Sequence, residues 1–231
     1  VEKNQIDMIV PQNASALPCH LSMGIAIGHL FENTKIPGIC HNHDFYWERG
    51  DRYKTHYPKL QEIISKYFPP RFENVKHVVI NTYNQNQLSD KFGINSTIVP
   101  NVMDFEIPYA QKDEYNSDLE KALGLGKKDI LLFQITRIVR RKGIETAIKL
   151  VKELKNSNIK LIITGNSTDD YQNIYYNELV ELTKELNLEK QIIFAGKQFD
   201  NFRTKRDSEK SYSLSDAYAY AKACTYFSTY E

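Results

Sequence analysis

Short apolar runs alternate with helix-like stretches of ten to thirteen residues along most of this chain. No other feature constrains the fold as strongly. A buried strand followed by an amphipathic helix, repeated, satisfies its backbone as a parallel sheet with helices on both faces. In the first half, strands are predicted at 7–11, 36–41, 75–81 and 97–99, and helices at 21–30, 57–67 and 82–92, with Gly93 as a stop. Residues 104–116 are polar, contain Pro108 and lack a period, so they read as the crossing between two domains. A second alternation follows. A short helix at 118–123 stops at Gly124; strands are predicted at 129–135, 160–164, 191–195 and 224–227, and helices at 143–155, 176–186 and 214–221. The fold class expected is therefore α/β with two domains, 1–107 and 108–231.

Composition narrows the function. Lys and Arg number 30 against 29 Asp and Glu, for a net charge of +1. Such a balance gives no footprint for nucleic acid or an anionic membrane surface. No apolar run approaches the roughly 20 residues of a membrane span. The three cysteines, Cys19, Cys40 and Cys224, lie far apart and are odd in number, which fits neither a disulfide framework nor a zinc motif and points to a reducing, cytoplasmic setting. The chain opens on Val1-Glu2 rather than Met, so its natural N-terminus is expected to lie upstream.

Residues 136–143, TRIVRRKG, sit where a strand's carboxyl end meets the next helix. Ligands of open α/β sheets bind at such places, and a helix N-terminus offers free N–H groups and a positive dipole end. Arg137, Arg140, Arg141 and Lys142 crowd that end, where cations are unfavourable unless an anion neutralises them. Arg can hold a phosphate bidentately and Lys can add a point charge. A solvated basic loop is the alternative. The segment is not a P-loop, because the Gly-rich spacing and the Ser/Thr after Lys are absent.

Taken together, several segments resemble the retaining GT-B glycosyltransferases of glycosyltransferase family 4. TRIVRRKG resembles the first strand–helix loop of that family's C-terminal domain, where an Arg and, five residues later, a Lys before Gly contact the donor diphosphate; Arg137, Lys142 and Gly143 fit that spacing. IVPNVMD (98–104) resembles the segment closing the N-terminal domain, with Val102-Met103 in place of the usual Gly-Val, and VVINTYNQNQL resembles the strand–helix unit before it. LSDAYAYAKACTYFSTYE (214–231) is similar to the approach to a Glu–seven residues–Glu motif and places Glu231 on its first Glu. HDFYWER (43–49) resembles a bacterial subgroup and puts His43 on an active-site histidine, with Asp44 and Trp47 on the acceptor side. The resemblance implies transfer from a nucleoside-diphosphate sugar to a hydroxyl acceptor with retention. Neither a cofactor nor a metal is expected. Glu231 and His43 would be the catalytic pair. It also implies a GT-B-like pair of Rossmann-like domains, 1–107 the later part of an incomplete first one and 108–231 a truncated second one, with parts of a complete member before residue 1 and after residue 231. A sugar phosphorylase, an epimerase of the same fold and a non-catalytic nucleotide-sugar-binding module remain alternatives, and a peripheral membrane contact of the full-length protein stays open.

The remaining features have plainer readings. Cys40, His41 and His43 do not have a recognised zinc spacing. Of Phe45, Tyr46 and Trp47, one or two could face a sugar and the rest would pack. Asn13 and Ser15 border the acceptor side or cap a loop. Residues 203–206, RTKR, read as a solvated polar loop, and three Asn-x-Ser/Thr sequons are expected to stay unmodified in a cytosolic chain.

Overall fold

The computed structural model describes residues 4–106, 109–206 and 209–229. The chain forms two compact units, Val1–Met103 and Asp104–Glu231, so the observed boundary falls four residues before the one expected at 107/108.

In the first unit, α1 (Leu21–Asn33), β1 (Gly38–Asn42), α2 (Pro58–Tyr67), β2 (Val75–Val79), α3 (Thr82–Phe92) and β3 (Ser96–Ile98) build a parallel sheet of order β1-β2-β3. Gly38 pairs with Val75 at one end of the register and Asn42 with Val79 at the other. Cys40, Asn42, Val75, His77 and Val79 are all buried. The α3 boundaries follow from local chemistry. The Asn81 side chain accepts the Asn84 N–H at 2.8 Å, and Gly93 ends the helix in the left-handed region at φ 65°. The strand expected at 7–11 appears only as bridges at Ile9 and Gln12 beside β1. Its hydrogen bonds run from Ile39 N–H to Ile9 O (3.0 Å) and from His41 N–H to Pro11 O (3.1 Å). Pro11 has no N–H to continue the ladder. Between the strands, residues 46–53 wind into 3₁₀ turns, which the sequence reading did not foresee.

The second unit contains α4 (Leu119–Ala122), β4 (Ile130–Gln134), α5 (Ile144–Glu153), β5 (Ile159–Ile163), α6 (Ile174–Glu185), β6 (Ile192–Phe194), β7 (Phe199–Asp200), β8 (Thr204–Arg206), β9 (Glu209–Ser213), α7 (Leu214–Tyr220) and β10 (Ala223–Cys224). The main sheet is parallel with order β10-β4-β5-β6. Period-2 alternation divides its side chains. Leu132, Leu161, Ile163 and Ile192 join Ile144, Ile148, Val151 and Leu179 on one face. Leu131, Phe133 and Ile162 join Leu119, Phe199, Tyr212 and Ala217 on the other. The strand expected at 224–227 is two residues long, after which Thr225 N–H still reaches Phe133 O at 2.8 Å. The second correction is larger. Residues 199–213, read in part as a solvated loop, form a small sheet of order β7-β9-β8. Among the described residues, no helix is long and apolar enough to cross a membrane.

Candidate functional site

The main sheet of the second unit grows from β4 through β5 to β6 on one side and returns to the other side of β4 with β10. The order reverses between β4 and β10, the switch point where the loops of an open parallel sheet part and leave a crevice. A cavity of about 540 Å³ lies at these strand ends, lined among others by Arg137, Arg141, Lys142, Thr164, Asp169, Asp200 and Tyr226. Backbone fit shapes it. A Cβ on Gly165, just after β5, would lie 1.9 Å from Thr136 O, and one on Gly196, after β6, would lie 2.6 Å from Gly165 O. Only hydrogen at both positions lets the three loops stack. Gly143 adopts φ 58° where the loop enters α5, and a Cβ there would meet Phe227 O at 2.4 Å. A neighbouring cavity of about 440 Å³ shares Gly165 and Asn166 and includes Tyr176 and Phe194.

Arg137 and Lys142 reach the main cavity by different routes. Arg137 is largely exposed and ion-paired with Asp169 on the opposite rim. Lys142 is only 8% exposed. Its ammonium donates to the Tyr226 hydroxyl at 2.9 Å and lies 4.8 Å over that ring. The buried Gln134 fixes the Lys142 backbone. Its Nε2 donates to Lys142 O and to Thr136 Oγ1, each at 3.2 Å, while its Oε1 accepts from Thr225 Oγ1 at 2.6 Å. The Thr164 hydroxyl is buried with no hydrogen-bond partner, an unusual state that invites a ligand donor or acceptor. A lone amide inside the apolar run DILLFQI was a visible hint of Gln134; Thr164 and Tyr226 carried no signal of their own.

Two expectations for this loop need correction. Arg140 does not line the main cavity: it pairs with Glu178 at 2.5 Å and lies over the Tyr175 ring. Nor does α5 offer free N–H groups. Ile144 N–H donates to the Tyr175 hydroxyl at 3.2 Å, Thr146 N–H donates to Gly143 O, and Tyr175 donates to the Glu145 carboxylate. Burial, reinforced by Glu145, holds the Tyr175 phenol above its usual range. Glu231 lies outside the described residues.

In the first unit the residues after β1 form a tight polar knot. Asn13, at φ 54°, accepts the His43 N–H at 2.9 Å and donates to Asp44 at 2.8 Å; Asp44 also pairs with Arg49. Asn13 thus caps the loop. Glu48 accepts the Phe45 N–H at 2.6 Å. Burial and the neighbouring Asp44 raise its pKa above the ordinary value, outweighing the Phe45 and Arg49 contributions. The His43 ring meets His41 edge-on at 4.9 Å, and its Nε2 is buried without a partner. Trp47, expected on the acceptor side, is a packing residue instead. Its indole stacks on Phe45 at 4.5 Å, meets Phe92 edge-on, has Lys91 5.1 Å above it and donates to Gln87.

Residues 116–219 match the family model described as "Glycosyl transferases group 1". The whole chain is 34% identical over 244 residues to mannosylglucosylglycerate synthase of Petrotoga mobilis, spanning 56% of that protein. Over 65% of its length it is 41% identical to the Thermotoga maritima protein of the same name, spanning 34% of it. The chain thus covers about half or less of these curated relatives. Among solved structures it resembles sucrose-phosphate synthase of Thermosynechococcus elongatus (TM-score 0.64, 14% identity, 96% of this chain and 50% of that one). It also resembles Anabaena HepE in complex with UDP (TM-score 0.59, 14% identity, 84% and 49%). The fold is α/β with parallel sheets, as in these GT-B structural neighbours, and residues 116–219 are similar to a glycosyltransferase group 1 domain.

Proposed function

We propose that this protein is a retaining glycosyltransferase that moves a sugar from a nucleoside-diphosphate donor to a hydroxyl acceptor without a metal. The observation that carries the reading is the pairing of Arg137 with the mostly buried Lys142 on the wall of one cavity at the sheet's switch point. When the bond between the anomeric carbon and the β-phosphate oxygen breaks, the electron pair stays on the diphosphate. Preorganised cations stabilise that charge where it develops. The acceptor oxygen bonds to the anomeric carbon from the face the diphosphate leaves, and its proton passes to the departing phosphate oxygen. A structural neighbour that binds UDP and UDP-glucose supports the donor class. The relatives' shared name points to a glycosylated glycerate, and we assign that class to the acceptor. His43, with its unpartnered Nε2, would hydrogen-bond a sugar hydroxyl. Glu231 would orient the donor sugar, and Asp44 would hold its loop on the acceptor side. We place the protein in the cytoplasm, with no nucleic-acid partner.

Calorimetry with UDP, GDP and ADP tests the donor site. Charge-assisted hydrogen bonds contribute about 1.5–3 kcal/mol each. Arg137→Ala combined with Lys142→Ala should therefore weaken the preferred diphosphate by at least about a hundredfold. Unchanged affinity, or a folded wild type that binds none of the three, would refute the reading.

A further inference from the structure

The donor cavity has a second wall, made by Phe199, Asp200, Asn201 and Leu214. These residues open and close the segment that folds as β7, β8 and β9 and enters α7. Within 199–213, the described residues buried in the apolar core are Phe199 and Tyr212. Two apolar side chains are a small anchorage for a polar hairpin. Charged anchors outside the cavity add to it: Lys210, which pairs with Asp118 at 2.5 Å, and a fork that engages two carboxylates.

Arg203 is the centre of that fork. Its Nε donates to both oxygens of Asp216 at 3.1 Å, its Nη2 to Asp216 at 2.5 Å, and its Nη1 to Asp113 at 2.7 Å. The guanidinium carbon lies 4.8 Å from the centre of the Tyr115 ring. Asp216 is fully buried. It also accepts from Asn116 Nδ2 at 2.7 Å and from the Ser213 N–H at 2.8 Å, the latter closing the cap of α7 next to Leu214. Tyr115 adds a strut, its single hydroxyl proton shared between Thr204 O at 2.7 Å and Ser211 O at 2.8 Å. A buried carboxylate needs this partnership, since removing its cation leaves an uncompensated charge in low dielectric. The same fork joins the segment 113–116, the hairpin and the start of α7.

We infer that Arg203 is a positioning residue for the donor site: by clamping Asp113 and Asp216 it holds the Phe199–Asn201 and Leu214 wall at its distance from Arg137 and Lys142. It touches no ligand itself. The inference rests on the donor reading above and adds that a guanidinium outside the cavity helps to set its width. Lys cannot replace it, because an ammonium cannot engage two carboxylates in a planar fork.

The test compares wild type with Arg203→Lys and Asp113→Asn. The second variant keeps the acceptor for Asn116 N–H and the whole Asp216 pair, removing only the exposed arm's charge. Two readouts are taken on the full chain: calorimetric affinity for the nucleoside diphosphate that wild type prefers, and amide hydrogen exchange at 199–202 and 214 without ligand. Arg203→Lys should weaken the diphosphate about tenfold, since small misplacements of binding groups are costly, and speed exchange at those amides while β4–β6 stay protected. Asp113→Asn should move both in the same direction by less. In the active enzyme the donor KM should rise with kcat and acceptor KM unchanged, a split that general destabilisation does not produce. If Arg203→Lys does not fold, Asp113→Asn decides alone. Unchanged affinity and exchange in a folded variant overturn the inference. If wild type binds no diphosphate, the donor reading fails and the donor role of Arg203 with it. Faster exchange confined to 199–202 and 214 would then still identify the fork as what holds that wall.

Discussion

The two units put the same strand–helix alternation to work with different interiors. The second has twice as many buried apolar side chains among the described residues, gathered into one cluster on each face of its sheet. The first divides its apolar residues into three smaller clusters. A polar seam accompanies them, with Ser15, Asn42, His77 and Asn84 all buried. His77 Nε2 donates to Pro70 O at 3.1 Å, which leaves Nδ1 to accept from Asn42 Nδ2 at 3.3 Å. That arrangement requires a neutral ring. Burial, with Arg71 nearby, lowers its pKa to about 4 despite the Pro70 carbonyl. The second unit also buries polar residues, Gln134, Lys142 and Asp216 among them, but all six histidines of the chain lie in the first.

The comparison breaks most sharply at Gly165. Gly165→Val should destabilise the second unit by about 3 kcal/mol and abolish diphosphate binding, because its Cβ meets backbone rather than a side chain that can turn away. Acid titration is the next test. Between pH 6.5 and 4 the unfolded His77 binds a proton that the folded one refuses, so stability falls with falling pH by up to about 3 kcal/mol. Trp47 is the chain's single tryptophan and lies in the first unit, so its fluorescence reports that unit's loss. His77→Gln keeps a donor and an acceptor and should flatten this limb. Asp216 behaves differently. Burial opposes its charge, but Arg203, Asn116 and Ser213 outweigh burial and hold its pKa below the ordinary 3.8. Its contribution is complete above about pH 4 and is lost only as pH falls through the depressed folded value, so hydrogen exchange should show β4–β6 outlasting the first unit in acid. At the small end, Lys184→Ala removes an exposed pair with Glu181 and should leave the melting temperature unchanged within error.

What the sequence disclosed follows the same division. The strands of the second unit are legible because burial on both faces leaves a continuous Ile/Leu/Phe run. Helix α3 is legible because Asn81 and Gly93 mark its ends locally. The hairpin 199–213 is not, because its stabilising partners are remote in the chain: Tyr115 to Ser211 spans 96 residues and Asn116 to Asp216 spans 100. A run such as RTKR looks solvated until a buried Asp216 is known. At the site, the family resemblance singled out Arg137 and Lys142 from a cluster of four cations. The same reasoning could not show that Arg140 turns to Glu178, that Thr164 faces the cavity, or that the indole of Trp47 is taken up by its neighbours. Those outcomes are decided by which side chain arrives from another element.

The Tyr175 hydroxyl at the start of α5 has a consequence for how a diphosphate would be captured. With the helix dipole already answered from within the chain by Tyr175 and Glu145, attraction rests on full charges, one of them on the exposed Arg137. Charges in contact with solvent are screened over about 8 Å at physiological ionic strength. Capture should therefore slow steeply as salt is added, while release, governed by the sheltered Lys142, should change little. Under the proposed donor reading, arrival and retention would fall to different residues five positions apart.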